Sequence, residues 1–182
     1  SVMDGDTVYA SFVLNNLSAV NDINIPTKDN AALEGLYTDA NCTIPFAQDS
    51  ISEILASGVE STRLYTKWNE TKTLWSGDVN GSLNIYDLAD DIGSDSVFYI
   101  EVYNYYSNAR ETRYYMRDQY GYGSSTHSDS VIVPAYSTKY LKIAPSASDI
   151  AYMKQNGIYV DWDYNSMSIR SVRYTPTANE TP

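Results

Sequence analysis

The sequence predicts an all-β fold, an antiparallel β-sandwich with one or two short helices, and three observations predict it. Short apolar/polar alternations recur at roughly ten-residue spacing across residues 8–172, the period-2 pattern of half-buried strands. Only two stretches, near Ser50 and near Ser146, carry helix-start signals, and a glycine closes each soon afterwards. The chain holds 18 Tyr and 3 Trp against 3 Phe. Its large rings therefore carry polar atoms, which suits sheets with one face in the core and the other in water.

In chain order, Asp4-Gly5-Asp6 reads as a turn, and Val8, Ala10, Phe12 and Leu14 then alternate with Thr7, Tyr9, Ser11 and Val13 as a strand with one face in the core. Asn15-Asn16 end it. Residues 18–49 scatter Asn, Asp and Pro and read as loops, with one short strand and a helical turn near residues 31–36. Ser50-Ile51-Ser52-Glu53 has the form of a capping box, and Ile54, Leu55 and Gly58 complete a short helix. Residues 63–75 are extended, as one strand or as two with a turn at Asn69-Glu70. After the Asn80-Gly81 turn, Leu83 and Ile85 alternate with Asn84 and Tyr86. Phe98, Ile100 and Val102 form the clearest strand, with Tyr99, Glu101 and Tyr103 opposite. Residues 111–119 follow as another, in which Tyr115, Arg117 and Gln119 share a face. A Gly/Ser loop at residues 121–125 leads to short strands at Val131 and Val133 and at Leu141 and Ile143.

The end of the chain is the most clearly punctuated. Ser146 is an N-cap with Asp149 at N3, Ile150 and Met153 share one helix face, and Gly157 stops the helix. The period then changes: Ile158, Val160, Trp162 and Tyr164 fall on one side of a strand, Tyr159, Asp161 and Asp163 on the other. A turn at Asn165-Ser166 feeds a last strand carrying Met167, Ile169 and Val172. Residues 1–174 thus read as one sandwich domain. Within it, residues 1–73 are an N-terminal elaboration or a first half, and 74–174 the core. The Thr/Pro-containing residues 175–182 read as the start of a linker.

Composition narrows the function. A net charge of −11 argues against nucleic acid, which needs a basic stripe, and against an anionic membrane surface. No apolar run of about 18 residues exists to span a bilayer. The single Cys42 permits neither an internal disulfide nor a cysteine zinc cluster and reads as a small buried hydrophobe. The only histidine, His127, lies in the Ser/Gly-rich loop without a nucleophile elbow, so no catalytic residues are assigned. Paired carboxylates hydrolyse glycosides in principle, but sequence spacing cannot place two across a cleft. Asp87, Asp90, Asp91 and Asp95 form an acidic loop whose alternatives are a solvated surface and a calcium site.

Four C-terminal segments carry a resemblance: Leu141-Lys142-Ile143, Asp149-Ile150, Asn156-Gly157-Ile158 and Ser168-Ile169-Arg170-Ser171-Val172. With Leu74-Trp75-Ser76-Gly77 upstream, they resemble the signature of jelly-roll β-sandwich carbohydrate-binding modules from secreted glycan-degrading or glycan-adhering proteins of gut bacteria. The likeness spans residues 74–174. It implies a jelly-roll topology and non-catalytic binding of a plant glucan, starch or a β-glucan such as cellulose, by aromatic stacking. It also implies a monomeric module within a larger secreted or cell-surface chain, with no cofactor beyond a structural calcium. The family has a small residue near the tip where this chain has Asp161-Trp162-Asp163.

Two sets of residues are candidates for such a ligand. Trp162, with Tyr159 and Tyr164 beside it, and Trp68 supply indole and phenol faces for sugar C–H surfaces. The other reading of Trp162 is a core residue, since Ile158 and Val160 share its side. Tyr99, Tyr103, Tyr115, Arg117 and Gln119 form a second candidate, a single tyrosine-rich sheet face. Its alternative is an exterior of cross-strand pairs with no ligand. A structural or adhesion sandwich contacting another protein is the competing function.

Overall fold

The computed structural model describes residues 1–4, 7–11, 13, 28 and 30–176. The chain divides into two compact units, Ser1–Asn69 and Glu70–Pro182. The first has one sheet in the order β2-β1-β4-β3, from β1 (Val2–Asp4), β2 (Thr7–Ala10), β3 (Ala31–Tyr37) and β4 (Leu64–Glu70), with helix α1 (Gln48–Ala56). β1 runs parallel to β4, with Val2 opposite Leu64. Val2, Leu64, Phe46 and Ile51 are buried together, and Ala10, Leu33, Leu36, Ile54, Leu55 and Trp68 pack around them.

Several local expectations change here. Val8 is 59% exposed, so of the core face expected of its strand only Ala10 packs against the cluster among the described residues. The remainder of that alternation, Phe12 and Leu14, lies outside the described residues, as do Gly5, Asp6 and Asn15-Asn16. Residues 31–36 are strand, not a helical turn. Ala, Leu and Glu are good helix formers, but propensity counts for little per residue, and a place beside β4 in the sheet outweighs it. Helix α1 starts earlier than its Ser-x-x-Glu pattern predicts. Ser50 is at N3, where its hydroxyl accepts from the Ala47 N–H at 3.1 Å. Gly58, at φ +69°, ends the helix as expected. Cys42 is half-buried rather than buried, in a turn where its own φ is +53°. Partial burial first, and then the Asp39 carboxylate, push its thiol pKa up.

The second unit is a β-sandwich. Its strands are β5 (Lys72–Asn80), β6 (Leu83–Ile85), β7 (Phe98–Tyr103), β8 (Arg110–Asp118), β9 (Thr126–His127), β10 (Val131–Val133), β11 (Thr138–Ile143), β12 (Ile158–Tyr164) and β13 (Ser168–Tyr174), with helix α2 (Ala147–Asn156). One sheet has the order β11-β7-β13-β5, the other β10-β8-β12-β6 with β9 added beside β8. All of these pairs are antiparallel.

With β9 set aside, the pairs nest: β5 with β13, β6 with β12, β7 with β11 and β8 with β10, alternating between the two sheets. That is one long hairpin rolled over on itself, the jelly-roll topology. A consequence follows for surfaces. β7 and β8, though successive in sequence, lie in opposite sheets.

The two sheets enclose one core. Phe98, Ile100, Val102, Leu141, Ile143, Ile169 and Val172 come from one sheet, and Leu83, Ile85, Tyr114, Met116, Ile158 and Val160 from the other. Ile150 and Met153 of α2 join them, as their three-residue spacing requires. Ser146 caps α2 by accepting the Asp149 N–H at 3.2 Å, and Gly157 ends it at φ +85°. Tyr114 ties the sheets together. Its buried hydroxyl donates to the Met167 carbonyl and accepts from the Met167 N–H, both at 2.9 Å.

The Leu74-Trp75-Ser76-Gly77 segment has a packing reason. A Cβ on Gly77 would lie 2.7 Å from Cζ2 of Trp75, so only glycine leaves room for the indole two residues away on the same strand face.

Candidate functional site

The outward face of β10-β8-β12-β6 gathers a mixture of aromatic rings and charges. β8 alternates inward Thr112, Tyr114 and Met116 with outward Arg113, Tyr115 and Arg117. On β12, Tyr159 is opposite Arg117 and Asp161 opposite Tyr115. The next pair would place Trp162 and Tyr164 on one side, but a bulge intervenes. Trp162 is opposite Tyr114, and Tyr164 opposite Arg113, with Asp163 as the extra residue. The expected alternation therefore fails at its last step. The bulge swings Tyr164 out to join Tyr159, while Trp162 stays on the core side.

Asp161 and Asp163 organise this face. Asp161 Oδ2 accepts from the hydroxyls of Tyr115 at 3.1 Å and Tyr159 at 2.8 Å. Asp163 Oδ2 accepts from Arg113 Nε at 2.6 Å and lies 2.9 Å from His127 Nδ1. The rings are braced as well. The Arg117 guanidinium lies 4.7 Å over Tyr159, that of Arg113 5.8 Å over Tyr164, and His127 is 5.4 Å from Tyr115. Ser130 hydrogen-bonds both Glu111 and the Tyr164 hydroxyl.

Burial raises the Asp163 pKa, but the bonds from His127 and Arg113 outweigh it and hold the carboxyl below its ordinary value. Partial burial, and then the Asp161 carboxylate, push the Tyr115 phenol up. The face is thus a preset array of phenols with fixed charges between them.

Of the sequence-predicted residues, this face unites Tyr115, Arg117, Tyr159 and Tyr164. The others lie elsewhere. Tyr99 and Tyr103 are on β7, in the opposite sheet, so the single face predicted from Tyr99, Tyr103, Tyr115, Arg117 and Gln119 does not form. Tyr99 is also only 2% exposed, flanked in register by Lys142 and Arg173. Tyr103 carries the Arg170 guanidinium 4.9 Å over its ring. Gln119 follows β8, with its side-chain amide set against Gly157. Trp162 packs partly buried against the core and over the Gly81 turn. Trp68 packs in the first unit against the Val2/Phe46/Ile51/Leu64 cluster, with Lys28 Nζ 5.6 Å over its ring.

The chain matches no protein-family model, no curated protein and no solved structure.

Four residues of the face, Arg113, His127, Asp161 and Asp163, were not among the sequence candidates. Arg113 was legible, two positions before Tyr115 on the same alternation. His127 was not, because a two-residue strand such as β9 has no period to read. The structural position of Asp163 depends on the bulge. The acidic loop that offered a calcium reading is bound by lysines. Asp91 pairs with Lys72 and accepts from Tyr174, and Lys154 donates to the carbonyls of Asp90 and Ile92. Among the described residues no three His, Cys, Asp or Glu side chains come together as a metal site, and no helix is long and apolar enough to cross a membrane.

Proposed function

We propose that the chain is a non-catalytic carbohydrate-binding module of a secreted multimodular protein, holding a plant glucan, either starch or a β-glucan such as cellulose. One observation carries this reading: the β8/β12 face, where Tyr115, Tyr159 and Tyr164 alternate with Arg113, Arg117, Asp161 and Asp163. A sugar ring has an apolar C–H surface edged by hydroxyls, and half-exposed phenols interleaved with fixed donors and acceptors match both. The internal bonds lock the side chains before any ligand arrives, which lowers the ordering cost of binding. The Leu-Trp-x-Gly opening and the C-terminal hairpin resemble such modules as well.

The test is titration calorimetry with soluble starch, xyloglucan and barley β-glucan, backed by pull-down on insoluble starch and cellulose. Binding of at least one, weakened roughly thirtyfold by Tyr115→Ala/Tyr159→Ala, is the expected result; truncating two ring contacts at about 1 kcal/mol each supplies that factor. Flat traces with every polymer, together with failed pull-downs, overturn the reading.

A structural or adhesion role draws on a specific observation of its own. The guanidinium groups over Tyr159 and Tyr164 occupy ring faces that a sugar would use. On that reading no polysaccharide binds, and the same face meets another protein.

A further inference from the structure

Away from the β8/β12 face, the loop after β8 and helix α2 together expose a row of three tyrosines. Tyr120, Tyr122 and Tyr152 are 71%, 70% and 41% exposed. Their ring centroids are 5.9 Å apart from Tyr120 to Tyr122 and 6.5 Å from Tyr122 to Tyr152. Three large rings in sequence contact in water are an unfavourable arrangement for a surface with no task, since they would be better buried or dispersed.

The row is held on a rigid base. Asp118, 1% exposed, accepts the backbone N–H groups of Tyr120 at 3.1 Å, Tyr122 at 3.2 Å and Gly123 at 2.8 Å. Asp149, 8% exposed, accepts the Ser124 N–H at 2.7 Å. Gly121 takes the left-handed turn at φ +71°, and a Cβ on Gly123 would fall 2.9 Å from Asp149 Oδ1. Two buried carboxylates thus pin four amides of the loop, those of residues 120, 122, 123 and 124, and both glycines ease the turn that wraps them. The loop has the tyrosines fixed at its crest.

The chemistry of the row selects its ligand. Asp118 and Asp149 are consumed by backbone amides, and Arg117 donates to the carbonyls of Asp118 and Gln119 while lying over Tyr159. The row therefore offers ring faces and phenol hydroxyls without a free charge, which fits a neutral ligand with C–H faces and hydroxyls. Its shape selects further. Neighbouring planes differ by 54° and 39°. A flat ribbon with parallel sugar rings cannot stack on two neighbouring rings at once, whereas a chain that turns from each sugar to the next can.

We propose that Tyr120, Tyr122 and Tyr152 form a second glycan-binding site, separate from the β8/β12 face, that takes the turning chain of an α-linked glucan. It rests on the reading of the chain as a glycan-binding module.

Native affinity electrophoresis through gels of amylopectin or of hydroxyethyl cellulose tests it, with the parent chain, Tyr122→Ala and Tyr115→Ala/Tyr159→Ala run side by side. Tyr122 is exposed, and an unchanged melting temperature confirms that its variant folds. The expected result is retardation of the parent by amylopectin, reduced at least threefold in apparent affinity in Tyr122→Ala. Any retardation by hydroxyethyl cellulose stays unchanged in that variant. Retardation by amylopectin that is indifferent to Tyr122→Ala, or equal losses in both polymers, overturns the site and leaves the glycan-binding function standing. Retardation by hydroxyethyl cellulose alone does the same. A parent that migrates freely in both gels overturns the site, and the glycan-binding reading falls with it only if the titrations and pull-downs above fail as well.

Discussion

Gly157 is the position where one methyl group should do the most damage. It joins α2 to β12 at φ +85°, ψ 168°, a combination open to glycine and costly for any residue with a Cβ. A Cβ there would lie 2.9 Å from the Ile85 carbonyl oxygen and 2.9 Å from Gln119 Nε2. The amide can swing away. The carbonyl cannot, because Ile85 pairs with Ile158 in the β6–β12 ladder and moving it shifts an edge strand. Backbone strain of about 1–3 kcal/mol and a forced backbone shift of about 1–3 kcal/mol place Gly157→Ala at roughly 2–6 kcal/mol. At about 4 °C per kcal/mol for a unit near 100 residues, its thermal transition should fall by roughly 8–24 °C. Gly121→Ala is the comparison in the same unit. It also has positive φ, at +71°, but its Cβ would meet only the Arg117 guanidinium, the far end of a long side chain, at 3.1 Å. It should cost about 1 kcal/mol. Circular dichroism melts of the three chains decide the matter. A Gly157→Ala transition within a few degrees of the parent, or a Gly121→Ala fall as large, refutes the reasoning.

Other expectations follow from single buried groups. Tyr114→Phe strands the Met167 N–H and carbonyl in the core and should cost about 2 kcal/mol; an unchanged urea midpoint contradicts the inter-sheet tie. Burial pushes the Tyr114 and Tyr174 phenols up to about 12, with Asp91 adding to the second. Their stabilisation is complete below the unfolded value near 10 and lost as pH rises from there toward 12. A stability profile flat over that window removes the idea. Burial raises the Asp118 pKa, but the backbone amides of residues 120–123 outweigh it and hold it below the ordinary carboxylate range. Its contribution should therefore be full above about pH 4 and lost on further acidification. Asp118→Asn should melt lower at neutral pH and show a shallower acid limb. Asn104, fully buried, donates to the carbonyls of Asn108, Val133 and Pro134 and accepts the Tyr106 N–H. Asn104→Ala should cost about 3 kcal/mol or more by stranding several of these at once, checked by the same urea titration.

Strands with strict alternation and helices with strong punctuation were legible in the sequence. β7, β12 and α2 show why: Phe98, Ile100 and Val102, the run from Ile158 as far as Trp162, and the Ser146 cap with its Gly157 stop each state a local rule that the tertiary structure keeps. The second unit's sandwich followed from these. What local rules do not carry is which strand lies beside which. Tyr99 and Tyr115 looked like neighbours because β7 and β8 are successive, and the rolled hairpin separates them. In the first unit the weak pattern over residues 31–36 was settled by sheet pairing, not propensity. The face that did form needed the bulge at Asp163, one residue out of step with the alternation. The tyrosine row needed the position of α2, since Tyr122 and Tyr152 are thirty residues apart in sequence and in contact in space.

The nesting of β5 against β13 fixes how the second unit responds to force. Lys72, at the start of β5, is opposite Tyr174, at the end of β13, so the chain enters and leaves this unit side by side. A pull between those two points does not shear the ladder, with all its bonds loaded together. It opens the ladder from one end, a rung at a time, beginning at Lys72–Tyr174 and running toward Asn80–Ser168. The unit should therefore yield at low tension along its own chain axis. In an optical-trap experiment, handles at residues 72 and 174 should unfold it at a markedly smaller force than handles at residues 80 and 174, which drag the same two strands past each other.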